Sequence, residues 1–555
     1  MKKLFQYYPG SSEKVNKKFL VRITFVWIHY RFWYISSLNL LRIHTLAVKG
    51  NILQSVLKRT TKIGTKKEIK SPIQLQTRAL KRLLRRAKDT EFGKRYRFHK
   101  ILSSEDPIAT YQRFVPIFDY DQMYESWWKK TIAGGEDISW PGIVNKFALS
   151  SGTSGSASKQ IPVSRSQLRK IRRASLKQIQ YLNNFGFEKE FYDTYILGIG
   201  GSTSLTKIDK RKEGDLSGII NANLPGFMNV IYKPEKDITD IKDWDTKIEK
   251  MVEQAPNWNI GIIAGIPSWI QILLEKIIAR YELNSIHDIW PNFSVLVHGG
   301  VAFGPYKENF EKLLGKKVEY METYLASEGF MAISSGNGTP LKLLLNNGIF
   351  FEFIPFTDQN FNQDGELVSY PEILTVEEVE ENQQYAIVLS TCSGSWRYIL
   401  GDTIQFINKE NAEIIITGRT KHYLTICGEH LSVDNMNKAL EITCKELQIK
   451  VPEFCVTAFA YENLFAHKWY VGCDDKFDKE TFKKTLDRHL ANLNDDYATE
   501  RTSALKEVFI EQLPVTKFYD FLDRIGKKGA QVKFPRVIKG ELHKKWENFL
   551  NLPNV

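Results

Sequence analysis

The segment from Lys146 to Val163 reads KFALSSGTSGSASKQIPV, and its centre, Ser150 to Lys159, decides how the rest of the chain is interpreted. Every residue of that centre is small except the lysine, and a strand-like apolar run flanks it on each side. Small residues let backbone N–H groups approach an anion, hydroxyls add donors, and a lysine adds positive charge. The pattern predicts a phosphate-binding loop between two strands, with these binding residues: Ser150, Ser151, Gly152, Thr153, Ser154 and Lys159.

A loop of this composition has two other interpretations. A Walker A loop is excluded, because G-x-x-x-x-G-K-[ST] is absent and the next run, Ile161 to Val163, is extended rather than helical. A flexible Gly/Ser linker is the open alternative, although a linker has no reason to lie between apolar runs inside a domain. A second glycine-rich segment, Gly198 to Ser202, lacks the third glycine of a dinucleotide fingerprint and is predicted to be a turn.

Outside the loop, short β-rich runs alternate with helical patterns, which is typical of an α/β domain. The predicted strands are 146–149, 195–199, 260–264, 294–298, 318–323, 349–354, 386–390 and 414–417. Ser164 with Gln167, and Ser268 with Gln271, form S-x-x-Q capping patterns that predict helix starts. A boundary is expected near Gly418, which divides the chain into a basic and aromatic extension of uncertain role (1–50), a large domain (51–417) and a small domain (418–555).

The charge is distributed unevenly. The chain has 555 residues, is 43% hydrophobic and carries a net charge of +13, but residues 1–100 contain 25 Lys and Arg against 4 Asp and Glu. The composition is that of a packed globular protein. The basic region could bind nucleic acid or a membrane surface, but the run Lys81 to Lys88 also fits the solvated face of a packed helix. The second interpretation is favoured, and no nucleic-acid partner is expected.

The run from Phe19 to Val48 is apolar and aromatic, but arginine and histidine interrupt it. No stretch reaches the roughly 20 apolar residues that a membrane span needs, and the charges inside it do not fit a signal peptide. An interfacial anchor, an added packing helix and a wrongly included upstream stretch remain open. The five cysteines are odd in number and show no CxxC pairing, which argues against a disulfide framework or zinc site and favours the cytoplasm.

Three further segments follow the loop in the order seen in adenylate-forming enzymes: 298–302 (HGGVA), 324–329 (YLASEG) and 396–402 (WRYILGD). With the loop, they resemble the auxin-responsive Gretchen Hagen family of acyl acid amido synthetases, whose motifs look like SSGTSxGxxK, Y-x-x-S-E and Y-R-x-G-D. The resemblance runs from about residue 50 to the C-terminus and includes 416–421 (ITGRTK) and 531–536 (QVKFPR). It implies an α/β fold with a large adenylate-forming domain of mixed sheets and helices and a smaller, mobile C-terminal α/β domain.

The chain departs from these motifs at two positions. Ser156 replaces a glycine of the first motif, which leaves the loop flexible. Ile399 replaces the arginine of the third motif, although Arg397 lies two residues earlier. The role of the family's arginine is therefore in question in this chain.

The resemblance implies a role for individual residues. Glu328 would bind Mg²⁺, since magnesium is usually held by one or two carboxylates together with phosphate oxygens. Asp402 would accept the ribose hydroxyls, Arg419 would act as a catalytic cation at the domain boundary, and Lys533 would act as a second one through the K-x-P-R pattern. The remaining nucleotide-binding residues are Gly300, Thr323, Tyr324, Ser327 and Phe350. Burial alone would also explain Tyr324, Phe350 and the adjacent Phe351, and a solvated turn would explain Arg419.

The implied reaction is the attack of a carboxylate on ATP, with Mg²⁺ present, followed by transfer of the acyl group from its adenylate to an amine such as an amino acid. Transfer to coenzyme A or a carrier thiol is the nearest alternative, and a non-catalytic nucleotide-binding protein is the alternative of another class. The acid, the amine and the oligomeric state are not predicted.

Overall fold

The computed structural model describes residues 70–150, 159–301, 303–362, 365–420, 423–525 and 534–551. Its helices are α1 (Pro72–Ala87), α2 (Glu91–Arg95), α3 (Phe98–Leu102), α4 (Pro107–Phe114), α5 (Tyr120–Met123), α6 (Lys129–Ile132), α7 (Arg165–Gln180), α8 (Leu216–Asn221), α9 (Lys236–Thr239), α10 (Trp244–Gln254), α11 (Pro267–Arg280), α12 (Gly304–Leu313), α13 (Val433–Leu447), α14 (Lys479–Leu493), α15 (Asp495–Thr502), α16 (Val515–Arg524) and α17 (Gly540–Leu550).

The strands are β1 (Lys146–Ser150), β2 (Lys159–Pro162), β3 (Tyr195–Gly198), β4 (Thr206–Ile208), β5 (Arg211–Gly214), β6 (Tyr232–Lys233), β7 (Ile260–Gly265), β8 (Val295–Gly299), β9 (Glu319–Ala326), β10 (Gly329–Ile333), β11 (Leu341–Leu343), β12 (Ile349–Pro355), β13 (Gln384–Thr391), β14 (Tyr398–Asn408), β15 (Glu413–Arg419), β16 (Tyr423–Leu424), β17 (Leu431–Ser432), β18 (Glu453–Tyr461), β19 (Leu464–Gly472) and β20 (Leu505–Leu513).

An 11-stranded sheet forms the centre of the molecule, in the order β12-β13-β14-β15-β11-β10-β9-β8-β7-β3-β6. Strands β6, β3, β7, β8 and β9 pair in parallel, whereas β9 to β15 pair antiparallel. Helices α10 and α11 pack on the parallel half through a buried apolar cluster that includes Ile248, Leu273 and Leu296. The parallel half therefore has the architecture in which ligands bind at the carboxyl ends of the strands.

Helix α1 confirms the interpretation of the basic run as part of a packed helix. Ser71 and Gln74 form a capping box at its start, and its buried side chains are Gln76, Ala79, Leu80, Leu83, Leu84 and Ala87. The Gln76 amide donates to the Leu345 carbonyl at 2.9 Å, and its oxygen accepts from the Phe351 N–H at 2.7 Å. These buried hydrogen bonds fix the helix against β12.

The two predicted helix starts have different outcomes. Ser164 caps α7 as predicted, because its Oγ accepts from the Gln167 N–H at 3.1 Å. The start predicted at Ser268 is wrong: α11 begins at Pro267 after Ile266. Proline is well suited to the first helical position, where its missing N–H costs nothing. Ser268 is therefore a buried residue of the first turn.

The elements after β15 include a three-stranded sheet, β18-β19-β20, packed on helices α13 to α17. They contact the large sheet's helices: the Tyr306 and Phe465 rings lie edge to face at 5.1 Å, and Gln271 donates to the Asn463 carbonyl at 2.8 Å. Strand β15 of the large sheet ends at Arg419, close to the boundary expected at Gly418. All five cysteines are free thiols, and none of the helices in the described ranges is long and apolar enough to cross a membrane.

Candidate functional site

Strands β1 and β2 form an antiparallel hairpin in which Ser150 pairs with Lys159. These are the two ends of the predicted phosphate loop, so both of its ends lie on paired strands of one sheet. Its inner positions, with Ser151, Gly152, Thr153 and Ser154, lie outside the described residues. Lys159 Nζ lies 5.1 Å from the centre of the Tyr120 ring.

Glu328 lies in the turn between β9 and β10, where Ala326 pairs with Gly329. The residue is only 7% exposed. Burial raises the pKa of its carboxyl, the Asp402 charge raises it further, and the cations Lys159 and Arg419 lower it. The turn thus places a buried carboxylate within electrostatic reach of the hairpin lysine and of the pair on β14 and β15.

The neighbouring Ser327 is held by a network that the sequence did not predict. Its carbonyl accepts from Gln167 Nε2 at 2.7 Å, and the Gln167 oxygen accepts from the Ser393 hydroxyl. Ser393 Oγ also accepts from the Ser164 N–H at 2.9 Å, while Ser164 Oγ donates to the Cys392 carbonyl at 2.6 Å. The start of α7 is therefore tied directly to the turn that presents Glu328.

Asp402 is the centre of the third motif. Its Oδ2 accepts from the Tyr324 hydroxyl at 2.7 Å, and its Oδ1 accepts from Arg419 Nε at 2.8 Å. Asp402 and Arg419 are paired across β14 and β15, beside Gly401, whose φ of +89° is one that glycine adopts readily. Burial raises the pKa of Tyr324, and the Asp402 charge raises it further, so the phenol stays protonated and donates.

Gly300 directly follows β8, and Thr323 lies within β9 at the last pair that the two parallel strands form. Gly299 pairs with Thr323, whose hydroxyl donates to the His298 carbonyl at 3.0 Å. A Cβ on Gly299 would lie 2.4 Å from Thr323 Oγ1, so only glycine fits there. Gly300 has a φ of +86°, which also favours glycine.

Phe350, and Phe351 next to it, pack in the core rather than against this group. Phe350 is 1% exposed and packs with Tyr111 in the apolar cluster beneath the N-terminal helices, while Phe351 points into the cluster on the other face. The two rings therefore lie on opposite faces of β12, and both are buried in apolar clusters. Lys533 lies outside the described residues.

Ile399 stands where the third motif has an arginine. Arg397, two residues earlier, is buried in the core. Its guanidinium is buried and forms a two-pronged ion pair with Glu352, at 3.0 Å from Nε to Oε2 and 2.9 Å from Nη2 to Oε1. Its Nη1 donates to the carbonyls of Gln112 and Val115 at 2.9 and 2.7 Å. Arg397 thus ties β14 to α4 and β12.

Three segments match the models of one family: the GH3 family N-terminal domain over 64–207, the central domain over 342–415 and the C-terminal domain over 434–541. Together they cover more than half of the chain. The chain belongs to the GH3 family. This confirms the resemblance found in the sequence motifs, and the first domain match includes the hairpin of this GH3 family member.

Solved structures confirm the predicted fold class. The fold is similar to that of the GH3.15 acyl acid amido synthetase, with a TM-score of 0.52, 16% identity, and coverage of 86% of this chain and 93% of that chain. It is also similar to a 2-hydroxyisobutyryl-CoA ligase in complex with its adenylate and CoA, with a TM-score of 0.54, 13% identity, and coverage of 86% and 91%. A sequence comparison with curated proteins gives no match.

Proposed function

We propose that this GH3 family protein is an ATP-dependent ligase that converts a carboxylic acid into its acyl-adenylate and transfers the acyl group to an amine, such as an amino acid. One observation carries the proposal. Glu328, Tyr324, Asp402 and Arg419 lie close together, beside the hairpin of β1 and β2 whose second strand begins at Lys159. The fold shared with a GH3.15 acyl acid amido synthetase supports it.

In the first step, a carboxylate oxygen attacks the α-phosphorus and pyrophosphate leaves. In the second step, the amine nitrogen attacks the acyl carbon, AMP leaves, and the nitrogen loses a proton. Both partners of the first step are anionic, so fixed positive charge must offset their repulsion. Lys159, at the start of β2, supplies such a charge together with the backbone N–H groups of the proposed loop. Arg419 supplies a second positive charge beside Asp402.

Glu328 fits the chemistry of a magnesium ligand. Its carboxylate is buried and its charged form is disfavoured by burial, so a divalent cation would compensate it. The described ranges contain no group of three or more His, Cys, Asp and Glu side chains that could hold a metal ion. Mg²⁺ would then take one carboxylate from the protein and its other ligands from phosphate and water, and it would offset negative charge on the phosphates.

ATP–pyrophosphate exchange tests the adenylation step. Exchange is expected only when a carboxylic acid is added, with a panel of aryl and indole acids as the first set. Glu328→Gln should reduce exchange at least 100-fold, because the site loses a ligand that also stabilises the transition state. Glu319→Gln, at the opposite end of β9 and paired with Lys317, is the matched control and should exchange normally. ATP binding without exchange across the panel would instead support a non-catalytic nucleotide-binding protein.

Transfer to coenzyme A is the second candidate, favoured by the equally close fold similarity to the 2-hydroxyisobutyryl-CoA ligase. The products separate the two candidates. An amide formed from a free amino acid supports the amido synthetase, whereas a thioester formed from coenzyme A supports the alternative.

We further propose that residues 418–555 reorient between the two steps, with a hinge near Gly418, whose φ is +152°. Two reactions at one site would favour such a rotation. Limited proteolysis of the apo, ATP-bound and adenylate-analogue-bound protein should give different cleavage patterns near the hinge, and identical patterns would contradict the proposal. The five free cysteines support action in the cytoplasm.

A further inference from the structure

Helices α1 and α7 bring their cations together on one surface. Arg82 of α1 donates to Asn346 Oδ1 at 3.3 Å, and Lys170 of α7 packs against Gly348, two residues further along the same loop. The pKa of Lys170 is lowered by its burial and also by the charges of Arg173, Arg82 and Arg169. Residues three or four positions apart share a helix face, so the surface extends along both helices. We define the basic face as Arg78, Arg82, Arg85, Arg86, Arg165, Arg169, Lys170, Arg173 and Lys177, of which all but the half-buried Lys170 are exposed.

Among the described residues, no acid compensates the charge of the basic face. Neither α1 nor α7 contains an aspartate or glutamate. Within the described ranges, no member of the face forms an ion pair with a carboxylate, and the recorded side-chain partners are Asn346 for Arg82 and Ser166 for Arg169. The face therefore presents a strong local positive field, although residues 101–555 as a whole have a net negative charge.

Stabilisation by the helix dipole explains the cations at the end of α1 but not those at the start of α7. Arg85 and Arg86 lie in the last turn of α1, where the helix dipole favours cations. In α7, by contrast, Arg165 lies in the first turn, where the dipole favours acids. Arg165, Arg169, Arg173 and Lys177 are also spaced four residues apart, so each repels the next. This charge pattern is unfavourable for α7 and is compensated when an anion binds.

We infer that the basic face binds an anionic membrane surface. Neither helix carries an exposed large hydrophobic side chain, so the face offers no ring on which a nucleic-acid base could stack. In the sequence, the aromatic and apolar run Phe19 to Val48 shortly precedes α1. A polybasic surface attracts the anionic lipid headgroups of a membrane, and an apolar run elsewhere in the sequence would add the second signal that stable attachment needs. This inference does not depend on the proposed ligase activity.

Sedimentation of the full chain with vesicles tests the inference. The vesicles are pure phosphatidylcholine, or phosphatidylcholine with 30% phosphatidylserine, where the percentage is roughly that of an anionic leaflet. The protein should sediment with the anionic vesicles only, and binding should fall steeply as sodium chloride is raised, because salt screens the attraction. Equal binding to both vesicles, or no binding to either, would overturn the inference.

A charge-neutralised variant identifies the surface. The substitutions Arg85→Gln, Arg86→Gln, Arg169→Gln and Arg173→Gln keep good helix formers on the exposed faces. Each basic residue near an anionic surface contributes a factor of about five in partitioning, so loss of two engaged cations already weakens binding about 25-fold. The matched control replaces four exposed lysines of the C-terminal elements by glutamine: Lys476, Lys484, Lys544 and Lys545.

The control should bind as the wild type does, and equal losses in the two variants would overturn the assignment to this face. A duplex RNA and a duplex DNA of about 20 base pairs are run alongside. Tight binding of either duplex, lost in the basic-face variant while vesicle binding is unchanged, would identify a nucleic-acid surface instead. Should the variant fail to fold, the salt dependence of wild-type vesicle binding still decides whether an electrostatic membrane contact exists.

Discussion

Replacing Arg397 with methionine is expected to destabilise the protein by about 3–5 kcal/mol, because it leaves a buried carboxylate without its partner. Arg397 is 2% exposed and Glu352 is fully buried, and two hydrogen bonds of 2.9 and 3.0 Å join them. Methionine fills a similar volume without charge, so the lost electrostatic compensation of Glu352 dominates the effect.

Removing both charges should lower the free energy of unfolding less than removing the charge of Arg397 alone. In Arg397→Met with Glu352→Leu, no buried charge remains, but the Gln112 and Val115 carbonyls still lose the Nη1 donor. Buried polar groups left without a partner cost about 1–3 kcal/mol, so the double variant should still be less stable than the wild type. The interaction energy of the cycle is expected at about 0.5–3 kcal/mol, the range for residues in direct contact.

Urea unfolding followed by tryptophan fluorescence measures these free energies, since Trp396 and Trp128 lie in the adjacent cluster. The matched control is Arg488→Met, which breaks an exposed arginine pair with Glu446 at 2.6 Å and should cost about 0–1 kcal/mol. Equal losses for the buried and exposed pairs would refute the reasoning. So would loss of ATP–pyrophosphate exchange with unchanged stability, because Arg397 would then act in the site rather than in the core.

Three further variants test the site and the C-terminal elements. Tyr324→Phe removes a donor to the Asp402 carboxylate, a bond of about 1.5–3 kcal/mol, so KM for ATP in the exchange assay should rise roughly 10- to 150-fold; an unchanged KM would contradict the role of Asp402 in ribose binding. Gln167→Met removes the hydrogen bond to the Ser327 carbonyl and should move the Mg²⁺ dependence of exchange to higher concentration, whereas Arg169→Met, on the exposed side of α7, should not. Burial raises the pKa of Glu500 to about 8, so the stability that this carboxyl contributes is complete below its unfolded pKa near 4.5 and is lost as the pH rises through 8. The melting temperatures of Glu500→Gln and the wild type should therefore converge near pH 5. At pH 9 the glutamine variant should melt at the higher temperature, and melting temperatures that change in parallel with pH would contradict the raised pKa of Glu500.

Strand positions were largely predictable, but strand ends were not. The apolar run predicted as 349–354 is β12, Ile349–Pro355, because both faces of that strand are buried and Glu352 is its one charged residue. The strand predicted at 318–323 extends to Ala326, since pairing with β10 continues into residues that carry no distinct strand pattern. Pairing partners lie elsewhere in the chain, so local periodicity cannot report where pairing stops.

The candidate site shows the same division between local and distant information. Motif order predicted Glu328, Asp402 and Arg419 individually, but the hydrogen bond from Tyr324 to Asp402 joins residues 78 positions apart. Gln167 was recognised only as part of a helix start, and its contact with Ser327 required the fold. Ser268 had the same sequence signature as Ser164 and failed, because Pro267 starts the helix one residue earlier. The basic face was missed for a related reason: charge counting assigned the basic signal to the first hundred residues, while α7 lies in the acidic remainder.

Under the proposed function, the hydrogen bonds of Asp402 would couple a bound nucleotide to the C-terminal elements. A carboxylate offers about four acceptor positions, and Tyr324 and Arg419 occupy one on each oxygen. Two positions remain among the contacts of the described residues, so under the proposed function the two hydroxyls of a ribose would bind Asp402 without displacing either partner. Arg419 is the last residue of β15, and the chain continues from it towards the C-terminal elements. Ribose bound at Asp402 would therefore share its acceptor with the residue at which the two parts of the protein meet, and a change in the direction of the chain after β15 would alter the nucleotide site directly.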